Sequence, residues 1–129
     1  KVQRQTKQAL ALCGLEKRVD TLASELSYGE QRQLEISMML ATDPELLLLD
    51  EPLGGMGISE TQNMIELIKR LARERTIILI EHDMDAVFAL ADTLTVMVNG
   101  KVLATCTPSE ISNSKDVRDA YLGTEKYDQ

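Results

Sequence analysis

Aromatic residues are nearly missing: there is no tryptophan, one phenylalanine and three tyrosines among 129 residues. The core must therefore be built from Leu, Ile, Val, Met and Ala. Cysteine is as scarce. Cys13 and Cys106 have no CxxC spacing and no companion histidine, which argues against a disulfide framework or a metal knuckle and for free thiols in a reduced compartment. No apolar run approaches the ~20 residues of a membrane span, and no leader segment is visible. Basic residues are outnumbered: 14 Lys and Arg against 21 Asp and Glu give a net charge of −7. The only tight basic group, Lys69, Arg70, Arg73 and Arg75, is diluted by Glu74. That balance argues against nucleic acid as a partner, since phosphate backbones need clustered cations.

What remains is ordinary for one compact domain, with 43% hydrophobic and 27% charged residues. Val2, Ala9, Leu10 and Cys13 recur at helical spacing up to Gly14, and 15–25 reads as a mixed stretch with a short second helix. After a break at Ser27-Tyr28-Gly29, a helix is expected over 30–41, with Leu34, Met38 and Ala41 on one side. Thr42-Asp43-Pro44 ends it. Leu46 to Leu49, bounded by Pro44 and Pro52, suit a strand buried on both faces. A glycine-rich loop over 53–57 follows. Ser59 with Gln62 predicts a capping box, opening a helix whose stripe is Met64, Leu67, Ile68, Leu71 and Ala72. Thr76 to Ile80 is a second buried strand, and Asp83 opens a short helix through Leu90.

Beyond it, 94–98 and 102–105 flank Asn99-Gly100, a two-residue hairpin signal. Thr107-Pro108-Ser109-Glu110 predicts another capping box with Pro at the first helical position, and a last helix is expected over 115–122, stopped by Gly123. The order implies an α/β domain with parallel strands at its centre, flanked by helices, plus a C-terminal β-hairpin. The chain opens at Lys1 inside a helix, so it reads as a piece of something longer.

Three elements carry chemistry. Asp50-Glu51-Pro52 follows a buried strand, and ligands of parallel α/β sheets sit at strand carboxyl ends. Asp50 is placed to hold Mg²⁺ and Glu51 to polarise a water, although a polar turn would look the same. Leu26-Ser27-Tyr28-Gly29-Glu30-Gln31 leads into a helix, where a hydroxyl, a glycine and free N–H groups make an anion site or an ordinary N-cap. Glu81-His82-Asp83 follows the second strand and holds the only histidine, in a structural or a catalytic role.

Together these residues resemble the ABC ATPases. LSYGEQ is similar to their signature motif, LLLLDEP to Walker B and the histidine of IEHDM to the switch histidine, in matching order from about Glu25 to Gly123. The tail TPSEI…VRDAYLG resembles ATP-binding subunits of branched-chain and related amino-acid importers. The resemblance implies the C-terminal part of a P-loop (RecA-like) nucleotide-binding domain, with 1–25 ending its helical subdomain and 26–129 its core. It implies ATP and Mg as cofactors, and ATP sandwiched between two subunits. Ser27, Gly29, Glu30 and Gln31 would meet the nucleotide held by the opposite subunit. Asp50 would serve the metal, Glu51 would be the general base and His82 would contact the γ-phosphate. Implied partners are a second ATP-binding subunit and membrane-spanning permease subunits, which the segment before Glu25 would face. The full subunit would lie peripherally on the cytoplasmic side of the membrane.

The departures are specific. Tyr28 stands where Gly is commonest and Glu30 where Gln is usual. At the D-loop, where the family has Asp or Asn and then Pro, this sequence has Gly57 and Ile58, which puts coupling between the two sites in doubt. No G-x-x-x-x-G-K-[ST] is present: the only Gly-Lys pair, Gly100-Lys101, precedes Val102, with Thr95 in place of the first glycine. No Q-loop glutamine can be assigned either. The expectation is a chain inactive as an ATPase by itself, with a bare sheet edge that invites self-association. A non-transport ABC ATPase of the DNA-repair or translation type is the alternative, disfavoured by the acidic charge. A catalytically dead interaction module is the other.

Overall fold

The computed structural model describes residues 2–111, and the chain divides into two compact units, Lys1–Ala86 and Val87–Gln129. The first unit holds α1 (Val2–Leu12), α2 (Tyr28–Leu40), β1 (Leu46–Asp50), α3 (Ile58–Leu71) and β2 (Thr76–Ile80). The unit boundary falls within α4 (Met84–Leu90). The second unit holds β3 (Leu94–Val98), β4 (Lys101–Cys106) and α5 (Pro108–Ile111). The helix expected over 115–122 and its stop at Gly123 lie outside the described residues. No described helix is long and apolar enough to cross a membrane.

β1 and β2 pair in parallel, with Leu46 opposite Thr76 and Asp50 opposite Ile80. Joining parallel strands needs a crossover, and α3 is that crossover. Of its expected stripe, Met64, Leu67, Ile68 and Leu71 are buried, whereas Ala72 is the C-cap just past the helix and is exposed. α1 packs on α2, and α2 on α3. Gly14, at φ +76°, ends α1 in the left-handed conformation that glycine tolerates. Cys13 is buried and free, and burial pushes its thiol pKa up to about 12, with the Arg70 charge pulling the other way.

Several local expectations are corrected. Residues 15–25 form two single 3₁₀ turns, Glu16–Arg18 and Ala23–Glu25, rather than a helix. α2 begins at Tyr28, two residues before the expected start, because Ser27 caps it. The buried side of α2 carries Gly29, Ile36, Ser37 and Leu40, while Met38 points out at 66% exposure. α3 is capped from Gly57, not Ser59: the Glu60 carboxylate accepts the Gly57 N–H at 3.3 Å.

The larger correction concerns the sheet. Leu47 and Leu49 are buried, but Leu46 and Leu48 are 47% and 65% exposed, and Ile78 and Ile80 beside them are 53% and 59% exposed. One face is covered. The other is an open apolar surface, because among the described residues no element lies over it. A two-stranded sheet also leaves its outer edges unpaired among the described residues.

In the second unit the hairpin forms as expected. Asn99 and Gly100 take φ +50° and +74°, the pair of left-handed residues a type I′ turn needs. β4 is a residue longer at each end than expected, and Leu103 is accommodated by a bulge opposite Val96/Met97. Thr107 caps α5, its N–H donating to Glu110 at 2.8 Å.

The open face has a measurable consequence. Leu47→Ala is expected to lower stability by about 2–5 kcal/mol, and Leu48→Ala by less than about 0.5 kcal/mol, in urea unfolding of dilute protein. Equal losses would mean that both faces are covered in solution.

Candidate functional site

The parallel ladder runs one step past the strands: the Glu51 N–H donates to the Ile80 carbonyl at 2.8 Å. This bond holds Glu51 at φ +44°, a left-handed conformation for a residue with a side chain. Such a backbone costs about 1–3 kcal/mol and marks sites where the surroundings over-determine it. His82 follows Ile80 by two residues, and its Nδ1 lies 3.3 Å from Glu51 Oε1. The structure therefore brings Glu51 and His82 together across the carboxyl ends of β1 and β2. Both side chains are exposed, at 57% and 75%, so solvent or a ligand can reach the pair.

Asp50 lies on the open face of the sheet, level with Ile80. Among the described residues no group of three or more His, Cys, Asp or Glu could hold a metal. A single strand-end carboxylate fits Mg²⁺ only when the ion brings its other oxygens with it, as hydrated or phosphate-bound Mg²⁺ does. Asp50 has that chemistry.

Glu81 received no role from its sequence position. Here its Oε1 accepts the Leu53 N–H at 3.0 Å and its Oε2 accepts the His82 N–H at 3.3 Å. It ties the loop after Pro52 to the end of β2, and so positions the histidine beside it. An acid directly after an all-apolar strand segment was the available signal.

Ser27 to Gln31 open α2, and the structure separates their roles. The Ser27 Oγ accepts the Glu30 N–H at 3.2 Å, while Glu30 reaches back to the Ser27 N–H at 2.9 Å, a reciprocal capping box. Glu30 also takes the Arg18 Nε–H at 2.7 Å. The bond from the Ser27 backbone N–H, then that from Arg18, holds the Glu30 carboxyl below the usual range. The Gln31 amide donates to the Ala23 and Leu26 carbonyls. Of the four expected nucleotide contacts, the side chains of Glu30 and Gln31 are thus committed to shaping the turn. Ser27 and Gly29 present donors.

Those donors converge on a residue that sequence reasoning missed. Glu60 Oε1 accepts from both the Ser27 hydroxyl and the Gly29 N–H, each at 3.1 Å. Together with Arg18, Gln33 and Asn63 these groups line a pocket of about 240 Å³. Tyr28 packs on the glycine loop, its Cε1 3.3 Å from where a Cβ on Gly55 would stand, and Arg32 both stacks on its ring and donates to its hydroxyl.

Known proteins resemble the chain in sequence and in fold. Residues 1–54 match the family described as ABC transporter. The high-affinity branched-chain amino acid transport ATP-binding protein LivG of Salmonella typhi is 46% identical over 112 residues, 85% of this chain and 44% of that protein. BraF of Pseudomonas aeruginosa, with the same description, is 44% identical over 103 residues, 78% of this chain and 40% of that protein. An ATP-binding cassette of an ABC transporter in its ADP conformation superposes with a TM-score of 0.85 at 28% identity, covering 95% of this chain and 50% of that one. The chain thus spans less than half the length of these curated relatives.

The Glu30 assignment is testable by pH. Its carboxyl is held low in the folded chain, so the stability it lends is present above about pH 4.5 and is lost as pH falls through the lowered value. Glu30→Gln is expected to be less stable than the parent at pH 7, with the gap closing on acidification. A gap independent of pH in thermal unfolding would refute the capping role.

Proposed function

We propose that this chain, which is related by sequence and fold to the ATP-binding cassettes of ABC transporters, provides the signature, Walker B and switch-histidine part of an ATP-binding subunit that drives amino-acid import. The observation that carries the reading is the 3.3 Å approach of His82 to Glu51 at the ends of a parallel strand pair. A strand-end carboxylate beside an imidazole is the arrangement phosphoryl transfer asks for, where positioning and electrostatics dominate. Glu51 orients and deprotonates the attacking water. His82, held by Glu81, donates to the γ-phosphate and registers its loss. Asp50 would hold Mg²⁺, with the remaining oxygens coming from nucleotide and water. Mg²⁺, when bound, supplies neutralisation of charge on those oxygens. Ser27 and Gly29 donate to the phosphate carried by an opposing subunit.

Amino acids as the transported class rest on the printed roles of LivG and BraF in branched-chain amino acid transport. The ribose import protein RbsA 3 of Rubrobacter xylanophilus, 38% identical over 106 residues, also serves transport. These names, with the acidic charge, favour transport over a DNA-repair or translation ATPase. The partners proposed are a second ATP-binding subunit and membrane-spanning permease subunits, met at the cytoplasmic face of the membrane by a peripheral protein. Residues 1–25 belong to the helical side of the cassette and 26–129 to its core.

The sequence holds no phosphate-binding G-x-x-x-x-G-K-[ST] loop, so the chain alone is expected to release no phosphate from MgATP. Assembled with a subunit that carries such a loop, Glu51→Gln should lower turnover about 10²–10⁴-fold. Mg-dependent turnover by the pure chain, or full activity of Glu51→Gln in the assembly, would refute the assignment.

The open apolar face and the strand edges left unpaired among the described residues support a further property: self-association of this chain through β1 and β2. Exposed flat edges and patches pair with other chains. Sedimentation should show dimers or larger species growing with concentration, and Leu48→Lys should suppress them. A clean monomer at high concentration would count against this.

A further inference from the structure

The donors that the proposed function assigns to a nucleotide phosphate already have an occupant. Glu60 Oε1 takes the Ser27 hydroxyl and the Gly29 N–H at 3.1 Å each, and Glu60 Oε2 takes the Gly57 N–H at 3.3 Å. A serine hydroxyl has one proton to give. Here Ser27 gives it to Glu60 while accepting from the Glu30 N–H, so it has none left for a phosphate. Gly29 has the same conflict. A Cβ built on it would stand 2.8 Å from Glu60 Oε1, so the space that its missing side chain leaves beside the helix start is filled by the carboxylate.

We propose that Glu60 is a built-in anion that occupies the signature donors in place of phosphate, and that a nucleotide must displace it before Ser27 and Gly29 can serve. The inference rests on the proposed function for the role of those donors. Two negative groups cannot share one pair of N–H and O–H donors, so displacement is obligatory. The Gly57 N–H bond lies on the same carboxylate. Displacement of Oε1 therefore pulls on the loop over 53–57 that follows the acid pair, and links the signature turn to that loop through one side chain. The first two causes that hold the Glu60 carboxyl low are the Gly57 and Gly29 N–H bonds, in keeping with an ion settled in a donor cradle.

The test follows the Gly29 amide resonance of the 129-residue chain during titration with inorganic phosphate. Glu60→Ala clears the donors. Glu60→Gln removes the charge while keeping an acceptor and the helix start, so it remains informative if the alanine variant unfolds. Charge-assisted bonds are about twice as strong as neutral ones. Both variants are therefore expected to respond at phosphate concentrations at least about tenfold lower than the parent, a difference of about 1.4 kcal/mol. Equal responses in parent and variants would overturn the displacement role and leave the donor assignment standing. No response in any of the three would overturn both. As a second readout, the Glu60 carboxyl should titrate nearer its ordinary value in Ser27→Ala than in the parent; an unchanged titration would mean that the Ser27 contact does not form.

Discussion

The bond from the Glu51 N–H to the Ile80 carbonyl governs the arrangement of the acids and the histidine. It carries the parallel register one residue beyond Asp50 and Ile80, and forces Glu51 out of the extended region at the point where β1 must turn. Once Glu51 is fixed to the end of β2, the two residues that follow the strand complete the arrangement. His82 meets the Glu51 carboxylate. Glu81, one residue earlier, engages Leu53 instead. Two neighbouring residues just past the end of β2 thus clamp both limbs of the turn after β1. The left-handed Glu51 can persist only because five register pairs, one ladder bond and the Glu81 clamp oppose its relaxation.

A second set of contacts fastens the start of α2 to the same turn. Tyr28 lies over Gly55, and Ser27 and Gly29 reach Glu60 at the start of α3. The loop over 53–57 is therefore held by Glu81 on one side and, through Glu60 and Tyr28, by the start of α2 on the other. Tyr28 has a physical reason of its own: glycine there would leave Gly55 without the ring that covers it. The sequence elements that looked like independent motifs, 26–31, 50–52 and 80–83, converge on a single loop.

Much of this was legible beforehand, for identifiable reasons. Leucines bounded by prolines, the i, i+3, i+4 stripe of Met64 to Leu71 and the Asn99-Gly100 pair are local signals, and each became the expected element. The acid pair and His82 could be named because strand ends collect function in parallel sheets. Burial of both faces of β1 was misjudged, since an all-apolar strand reports what a sheet can bury and not what covers it; Leu46 and Leu48 are exposed here. That Glu30 and Gln31 also hold the turn before α2 was not legible, because a motif residue and a capping residue look alike in one dimension. Glu60 was invisible for a different reason: its partners Ser27 and Gly29 lie 33 and 31 positions away, and no local period encodes such a contact.

Gly57 and Ile58 stand where the resembled ABC ATPases have Asp or Asn and then Pro, and in this structure the two positions open α3. Position 57 is the N-cap of α3, with extended φ and ψ, and position 58 is its first helical residue, 84% exposed. Asp or Asn is a favoured N-cap because its side chain accepts an orphan N–H of the first turn, and Pro suits the first helical position because the N–H there has no intrahelical partner. An Asn–Pro pair there is thus good helix-start chemistry, whatever else it does. Glycine at an N-cap gives up only a few tenths of a kcal/mol against those side chains, and Glu60 offsets part of it by reaching back to the Gly57 N–H. The glycine also keeps a second carboxylate away. An Asp at 57 would set a like charge beside Glu60, whose own anion is already near Glu30, and would favour expelling Glu60 from the Ser27 and Gly29 donors. The uncharged residue at 57 sets no second negative charge beside the carboxylate at 60 that bridges the Ser27, Gly29 and Gly57 donors.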